Sequence, residues 1–479
     1  MRTPSLLGGV SAALALLTAG AHAQSVEFLT GKGYVSDLDF TGTAALLNGG
    51  PSGAAVWSLA PFSVVTPLPT NKGAEGISVG GVIVGGTIDQ AGLMVAAQYS
   101  SLSGTWTPLG SFGGTCGTTD GRTQDISFNG EVMTGLAYQG SCNFLPFKWS
   151  TGAGFVELPR SEFNARGEGN DVSFDGSYVA GYEDTAALPK QAVVWNPDNT
   201  LKPLATDPTK QSEAMAVDNS GTIVVGFQTP DAMLWIDGQP AVALPHIPGG
   251  GSAVANAISA DGHVIVGQEQ VPTSPFPPFP NHATLYRTDV GMLDLNTLAQ
   301  ELGFDTTGFE MASALGISGD GRVVAGAAKD LNSGFPGAGE AFVLRLPDAW
   351  LRSSVGDVSL SAGGAVPYTL NAGVERAGAF YVLVGSASGT TPGIAVDGVT
   401  LPLNVDAYTN YLLTQPSALF TGSIGILDGA GSAAATMNVP AGSPPSLAGF
   451  TVHHAYAVIS TTSFQVVEAS NARALNLLL

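Results

Sequence analysis

Two cysteines, six histidines and a scatter of loop carboxylates are the residues of this sequence with chemistry to offer. Cys116 and Cys142 have no neighbouring histidine and make a poor metal site; as an isolated pair in an exported chain they are expected to form a disulfide. A glycosidase would need a carboxylic acid and a carboxylate facing one glycosidic bond. Glu162, Glu168, Asp184, Asp231, Glu269 and Glu310 are the carboxylates available for that, but any acidic exported chain offers such a set, and a solvated surface is expected for them. His453 and His454 adjoin in a strand and so point to opposite faces, while His246 and His282 fall in separate repeats. Hydrogen bonding in a core, on the surface or at a strand end is expected for each, ahead of metal binding. No G-x-S-x-G elbow, H-E-x-x-H pair or phosphate loop is present, and no catalytic residue is assigned. Asp37, Asp125 and Asp171 recur at one register of a repeat, near its expected axis. They could hold a hard cation such as Ca2+ through oxygen ligands; hydrogen bonding between repeats or to channel water is the favoured alternative. No other cofactor is expected.

The elements that must position these residues follow from composition and repetition. Residues 1–23 carry Arg2, an apolar stretch and an Ala-His-Ala end, the pattern of a secretory signal peptide. The remaining chain is long enough for two or three domains. With 17 Lys plus Arg against 38 Asp plus Glu, the net charge of −21 excludes a basic surface for nucleic acid. No later apolar run reaches the roughly 20 residues of a membrane span. Gly at 64 and Pro at 30 are abundant, but 44% apolar residues signify folded, turn-rich structure.

Self-similarity decides the fold. The strongest copies are DISFNGEVMTG (125–135), DVSFDGSYVAG (171–181), AISADGHVIVG (257–267) and GISGDGRVVAG (316–326). Weaker ones are GISVGGVIVG (76–85) and AVDNSGTIVVG (216–226), and DLDFTGTAALLNG (37–49) is a degenerate first copy. Each reads as a hairpin with a tight turn at Gly42, Gly80, Gly130, Gly176, Gly221, Gly262 or Gly321. The residues two before the turn pair (Ser127, Ser173, Asp218, Ser259 and Ser318) are placed to accept bonds from turn amides. A third strand ends in an aromatic (Trp57, Tyr99, Trp149, Trp195, Trp235, Tyr286), with Phe342 in the seventh copy. A fourth ends at Leu68, Leu109, Leu158, Leu204, Leu244 and Leu295. Four short strands per repeat, seven times over, predict a β-propeller. The last copy lacks its own fourth strand, and Val26-EFLT is the spare strand that would close the ring. VPTSPFPPFPN (271–281) reads as a stiff extended insertion.

The elements HATLYR (282–287) and AFVLRL (341–346), each following an S-x-D-G-type hairpin, resemble the HAF family of extracellular repeats. The resemblance spans roughly residues 26–346 and implies a secreted bacterial β-propeller, without implying an activity. His282 alone keeps the family's His and Phe342 alone its Phe. The S-x-D-G units are not sialidase Asp boxes, which need a residue between Asp and Gly.

Beyond Pro347 the repeat stops. The segments YTLNAG, AFYVLVGSAS, GIAVDGVTLPLN, GSIGILDG, SAAATMNVP, HHAYAVIS and FQVVEASN are β-type runs broken by Gly, Pro and Asp-Gly. They resemble a terminal β-sandwich module of exported bacterial proteins. The expected organisation is all-β: signal peptide 1–23, seven-bladed propeller 24–346, linker 347–358 and β-sandwich 359–479. Turns lie on one propeller face; the loops before first strands and after second strands, including 161–169, 245–255, 268–281 and 302–313, share the other, with the disulfide among them. The expected function is that of a secreted, non-enzymatic binding protein, monomeric and not membrane-spanning, using the loop-rich face on a glycan or a protein. A carbohydrate-active hydrolase or lyase on that face, and a structural envelope or matrix component, are the alternatives.

Overall fold

The computed structural model describes residues 25–50, 53–59, 63–69, 73–89, 92–184, 190–272, 281–333 and 339–479. The segment 1–23, expected as a signal peptide, and most of the proline-rich insertion therefore lie outside the described residues. The protein is all-β, built on seven four-stranded sheets and a C-terminal pair of sheets. The innermost strands of the seven blades are Gly33–Leu38, Gly73–Ile77, Gly121–Ile126, Arg166–Val172, Ser212–Val217, Ala253–Ile258 and Phe309–Ile317. Blades one to six take their four strands consecutively. The seventh is completed by Ser25–Leu29, which pairs antiparallel with Glu340–Arg345, Val26 opposite Leu344. The expected closure by the amino-terminal strand is thus present, and it covers the edge that Glu340–Arg345 would otherwise expose.

The repeat sequence is explained by a bulge. All seven inner strands slip register at a shared place, with Ser36, Glu75, Gln124, Asn170, Met215, Asn256 and Leu315 as the extra residues, and the seventh slips again at Ala312. The glycine that closes six of the repeats faces this slip. At Gly181 a Cβ would overlap the carbonyl oxygen of Glu168, and Gly135, Gly226, Gly267 and Gly326 meet the same obstacle in their blades. Below the bulge, a buried Ser or Asp spans the turn. Ser127 Oγ accepts from Val132 N at 3.0 Å and Ser318 Oγ from Val323 N at 2.9 Å, the role expected of them. In the second blade Gly81, not Gly80, has the positive φ of the turn, because Ser78 sets the register three residues earlier. The third-strand tryptophans are blade packing: Trp57, Trp195 and Trp235 are buried, with indole N–H groups bonded to Ser63, Pro159 and Ala205.

The C-terminal unit consists of two sheets over one core. Trp350–Arg352, Gly364–Asn371, Phe420–Thr421 and Ser432–Val439 form one. Asp357–Ser359, Phe380–Ser386, Ile424–Ile426, Thr451–Ile459 and Arg473–Leu478 form the other, with Val466–Ala469 added to it. Leu351, Val366, Tyr368, Leu383, Met437, Tyr456 and Leu475 fill the space between. Segment 347–358 already contributes two of these strands. Helices Leu295–Leu302 and Ala407–Thr414 and the strand Arg473–Leu478 were not foreseen. The first helix, capped by Asp294, buries Leu295, Leu298 and Leu302 against blades six and seven and Trp350.

Candidate functional site

The bulged residues and their successors line a central channel. The cavity holds about 270 Å³ and is lined from Tyr34 and Glu75 at one end to Phe40, Phe128 and Phe174 at the other. The three phenylalanines come from the S-x-D-G position x of blades one, three and four. Phe40 lies 5.4 Å from Phe128 and 5.1 Å from Phe174 between ring centroids, so the rings meet over the axis and floor the channel. A belt of backbone bonds surrounds them: Val79 N to Phe128 O, Phe128 N to Phe174 O, Ala260 N to Gly319 O and Gly319 N to Phe40 O.

Asp37, Asp125 and Asp171 all line this channel, as their shared register implies. Each spends one oxygen on the next blade: Asp37 on Ile77 N at 2.9 Å, and Asp171 on Val217 N at 2.9 Å. Asp125 skips none, accepting from Val172 N at 2.8 Å. Burial, followed by the neighbouring Asp125 charge, holds Asp37 and Asp171 well above the usual carboxylate range. Burial pushes Asp125 up to about 6, against hydrogen bonds from Val172 and Ile126. Asp125 and Asp171 also share a hydrogen bond. Among the described residues no three His, Cys, Asp or Glu side chains converge as a set that could hold a metal ion. The aspartates act as blade-to-blade ties, the alternative favoured from sequence.

The opposite rim of the channel opens on the loop face. There Cys116, in the segment entering blade three, is bonded to Cys142, in the loop after that blade's second strand. The expected disulfide is present and joins the two expected loop types. The carboxylates of this face are not the solvated set expected from sequence. Glu168 is buried, with Arg122 at 3.0 Å, Tyr182 OH at 3.2 Å and Gln124 Nε2 bonded to it. Asp184 pairs with Arg166 at 2.8 Å. Buried Glu269 binds His246 Nδ1 at 2.5 Å and Ile247 N at 3.0 Å, with Asp231 on the other ring nitrogen at 3.3 Å. Glu310 bonds Lys329 at 2.5 Å and lies 3.7 Å from His282, which bonds Asp294 at 2.7 Å. Arg166–Asp184 and Lys329–Glu310 are cross-strand pairs within one blade, whereas Glu168–Arg122 and Glu310–His282 join neighbouring blades, an arrangement that a single sequence does not reveal. Only Glu162 stands exposed on a loop. His246 and His282 are thus ion-paired clasps between blades. His454 is a core residue, bonded on both ring nitrogens by Tyr368 and Tyr408 at 2.9 Å, and burial depresses it to about 3.

Neighbouring cations are held by rings as well. The Lys190 ammonium sits 3.8 Å from the Tyr182 ring centroid and bonds Glu213 at 3.1 Å; the Arg166 guanidinium lies 5.2 Å from that of Phe144. The phenylalanine floor and this cation–aromatic row were both missed from sequence. Phe at position x in three copies was the available signal for the floor; nothing local signals the row.

No helix among the described residues is long and apolar enough to cross a membrane. No family model and no curated protein matches the chain. Among solved structures it is similar to a putative TolB from Agrobacterium tumefaciens (15% identity, TM-score 0.36, covering 68% of this chain and 98% of that one). It is also similar to an oligogalacturonate lyase in complex with manganese (12%, TM-score 0.37, 67% and 91%) and to a GH74 enzyme of Niastella koreensis (15%, TM-score 0.41, 66% and 43%). The fold rests on the strand pairing described above, and these distant likenesses carry no function to this chain.

Proposed function

We propose that the protein is an exported, non-enzymatic binding propeller that takes its ligand, a glycan or a protein, on the loop face. The observation that supports this most is the state of the carboxylates there. Glu168, Asp184 and Glu310 are each engaged by a cation, and Asp231 and Glu269 by the His246 ring, which disfavours a free acid and base poised over a bond. What remains is a rigid, polar, disulfide-stapled surface. The disulfide and the resemblance to secreted HAF repeats support the location.

The enzymatic alternative draws on one feature, the hydrogen-bonded Asp125–Asp171 pair in the channel. Incubation of the secreted protein with soluble and insoluble polysaccharides separates the two. Depletion or retardation without new reducing or unsaturated ends is the expected result. Product release that disappears in Asp171→Asn would establish the hydrolase or lyase instead.

A further inference from the structure

The loop between blades three and four carries a Phe that serves no core. Phe163 is 91% exposed, yet its loop is pinned on every side. Arg160 donates to the carbonyls of Phe163 at 3.1 Å and Ala165 at 2.5 Å, Ser161 N donates to Glu183 at 2.9 Å, and Ala165 N to Glu162 O at 3.1 Å. A scattered exposed apolar residue is ordinary. A nearly naked aromatic on a fixed loop, three residues from Arg166, is a surface offered without the ordering cost a mobile loop would carry.

The adjoining ion pairs have a common orientation. Side-chain exposure is 45% for Arg122 over 7% for Glu168, 46% for Arg166 over 23% for Asp184, and 37% for Lys190 over 13% for Glu213. In each pair the acid lies beneath and the cation faces solvent. Arg122 and Arg166 bond their acids through one Nη each, while Phe144 and Tyr182 hold the second and third cations in place. Guanidinium forks fixed in this way suit planar or tetrahedral anions.

From these observations we infer that Phe163 and the row Arg122, Arg166 and Lys190 form a binding surface for an anionic polysaccharide, one whose sugar rings carry carboxylate or sulfate groups. The inference deepens the loop-face reading above and rests on it. The apolar face of a pyranose lies on the Phe163 ring, and its anionic substituents accept from the outward cations. The chain's net charge of −21 does not forbid a polyanion. The Debye length is about 8 Å at physiological salt, so acids on distant blades are screened, while Glu168, Asp184 and Glu213 lie beneath the more exposed cations they pair with.

Affinity electrophoresis and titration with sodium alginate (carboxylate), dextran sulfate (sulfate) and unsubstituted dextran, with chelator present, test this. Either anionic polymer is expected to bind, dextran is not, and binding should weaken as salt rises. Phe163→Ala should weaken it about fivefold and Arg166→Gln about tenfold. Both side chains are exposed, and an unchanged melting midpoint confirms that each variant folds. Dextran binding as well as the anionic polymers, or wild-type affinity in both variants, would overturn the ligand class while leaving loop-face binding intact. If no polysaccharide binds but a partner protein does, with the same two substitutions weakening it, the glycan assignment fails and the loop-face reading survives. Binding insensitive to every loop-face substitution sinks both.

Discussion

The carboxamide of Asn471 donates to the carbonyl oxygen of Leu302 at 3.0 Å, joining the C-terminal unit to the end of the helix that precedes blade seven. The same side chain donates to Leu351 O at 2.9 Å and accepts from Leu351 N at 2.7 Å. Asn471 is buried, and these three bonds satisfy backbone groups of two separate segments. With Ser353 N bonded to Glu301 O and Arg352 paired with Glu301, the helix terminus becomes the seam between the two units.

Asn471→Ala leaves the Leu302 and Leu351 backbone groups buried without partners. Such a change costs about 3 kcal/mol. Calorimetry should show a lowered melting midpoint and a transition that splits into two. A midpoint shift within error would mean that the units are held by apolar contacts alone.

The disulfide closes a 26-residue separation, and the chain-entropy model assigns such a loop about 3 kcal/mol. Cys116→Ser with Cys142→Ser should lower stability by up to that amount in denaturant titration. Intact mass before and after reduction and alkylation checks the bond directly; two free thiols in the exported protein would contradict it.

His282 is raised from 6.5 to about 9 by its bond to Asp294 and by Glu310. A raised folded-state value means that its stabilisation is complete below pH 6.5 and is lost as pH climbs through about 9. Glu310, lowered from 4.5 to about 2 chiefly by His282, contributes fully above pH 4.5 and loses its contribution as pH falls through about 2. Stability of wild-type protein should therefore decline between pH 6.5 and 9 more steeply than that of His282→Gln. Parallel profiles over that range would sink the clasp.

Asp171 behaves oppositely to a salt-bridged acid. Burial raises it, so the folded state favours its protonated form, and ionisation as pH rises costs stability. Asp171→Asn keeps an oxygen for Val217 N and removes the charge. It should leave stability at pH 7 unchanged or higher, and flatten the profile between pH 4 and 7. A loss of more than about 2 kcal/mol would show that the carboxylate itself is required.

The architecture was legible because the physics behind it is local. A turn glycine, the Ser or Asp that spans it and a closing glycine recur wherever an inner strand bulges, so seven copies could be counted, and the missing fourth strand pointed to Val26-EFLT. The disulfide followed from compartment and from the two loop types. Helix Leu295–Leu302 escaped because LNTLAQEL is short and begins on the leucine that ends fourth strands elsewhere. The ion pairs escaped for a different reason. Arg122 and Glu168 stand 46 residues apart on neighbouring blades, and only the ring brings them to 3.0 Å. A still longer separation in sequence hid the meeting of Phe40 with Phe174.

The central claim is that ligand is held on the loop face and not on the turn face. The most direct measurement compares the affinity of Phe163→Ala with that of Val79→Ser, an exposed position beside the channel floor on the turn side, for whichever polysaccharide the wild type retains. Weakened binding is expected in Phe163→Ala and wild-type binding in Val79→Ser. Weakened binding in Val79→Ser with full binding in Phe163→Ala would place the ligand on the other side of the propeller and contradict it.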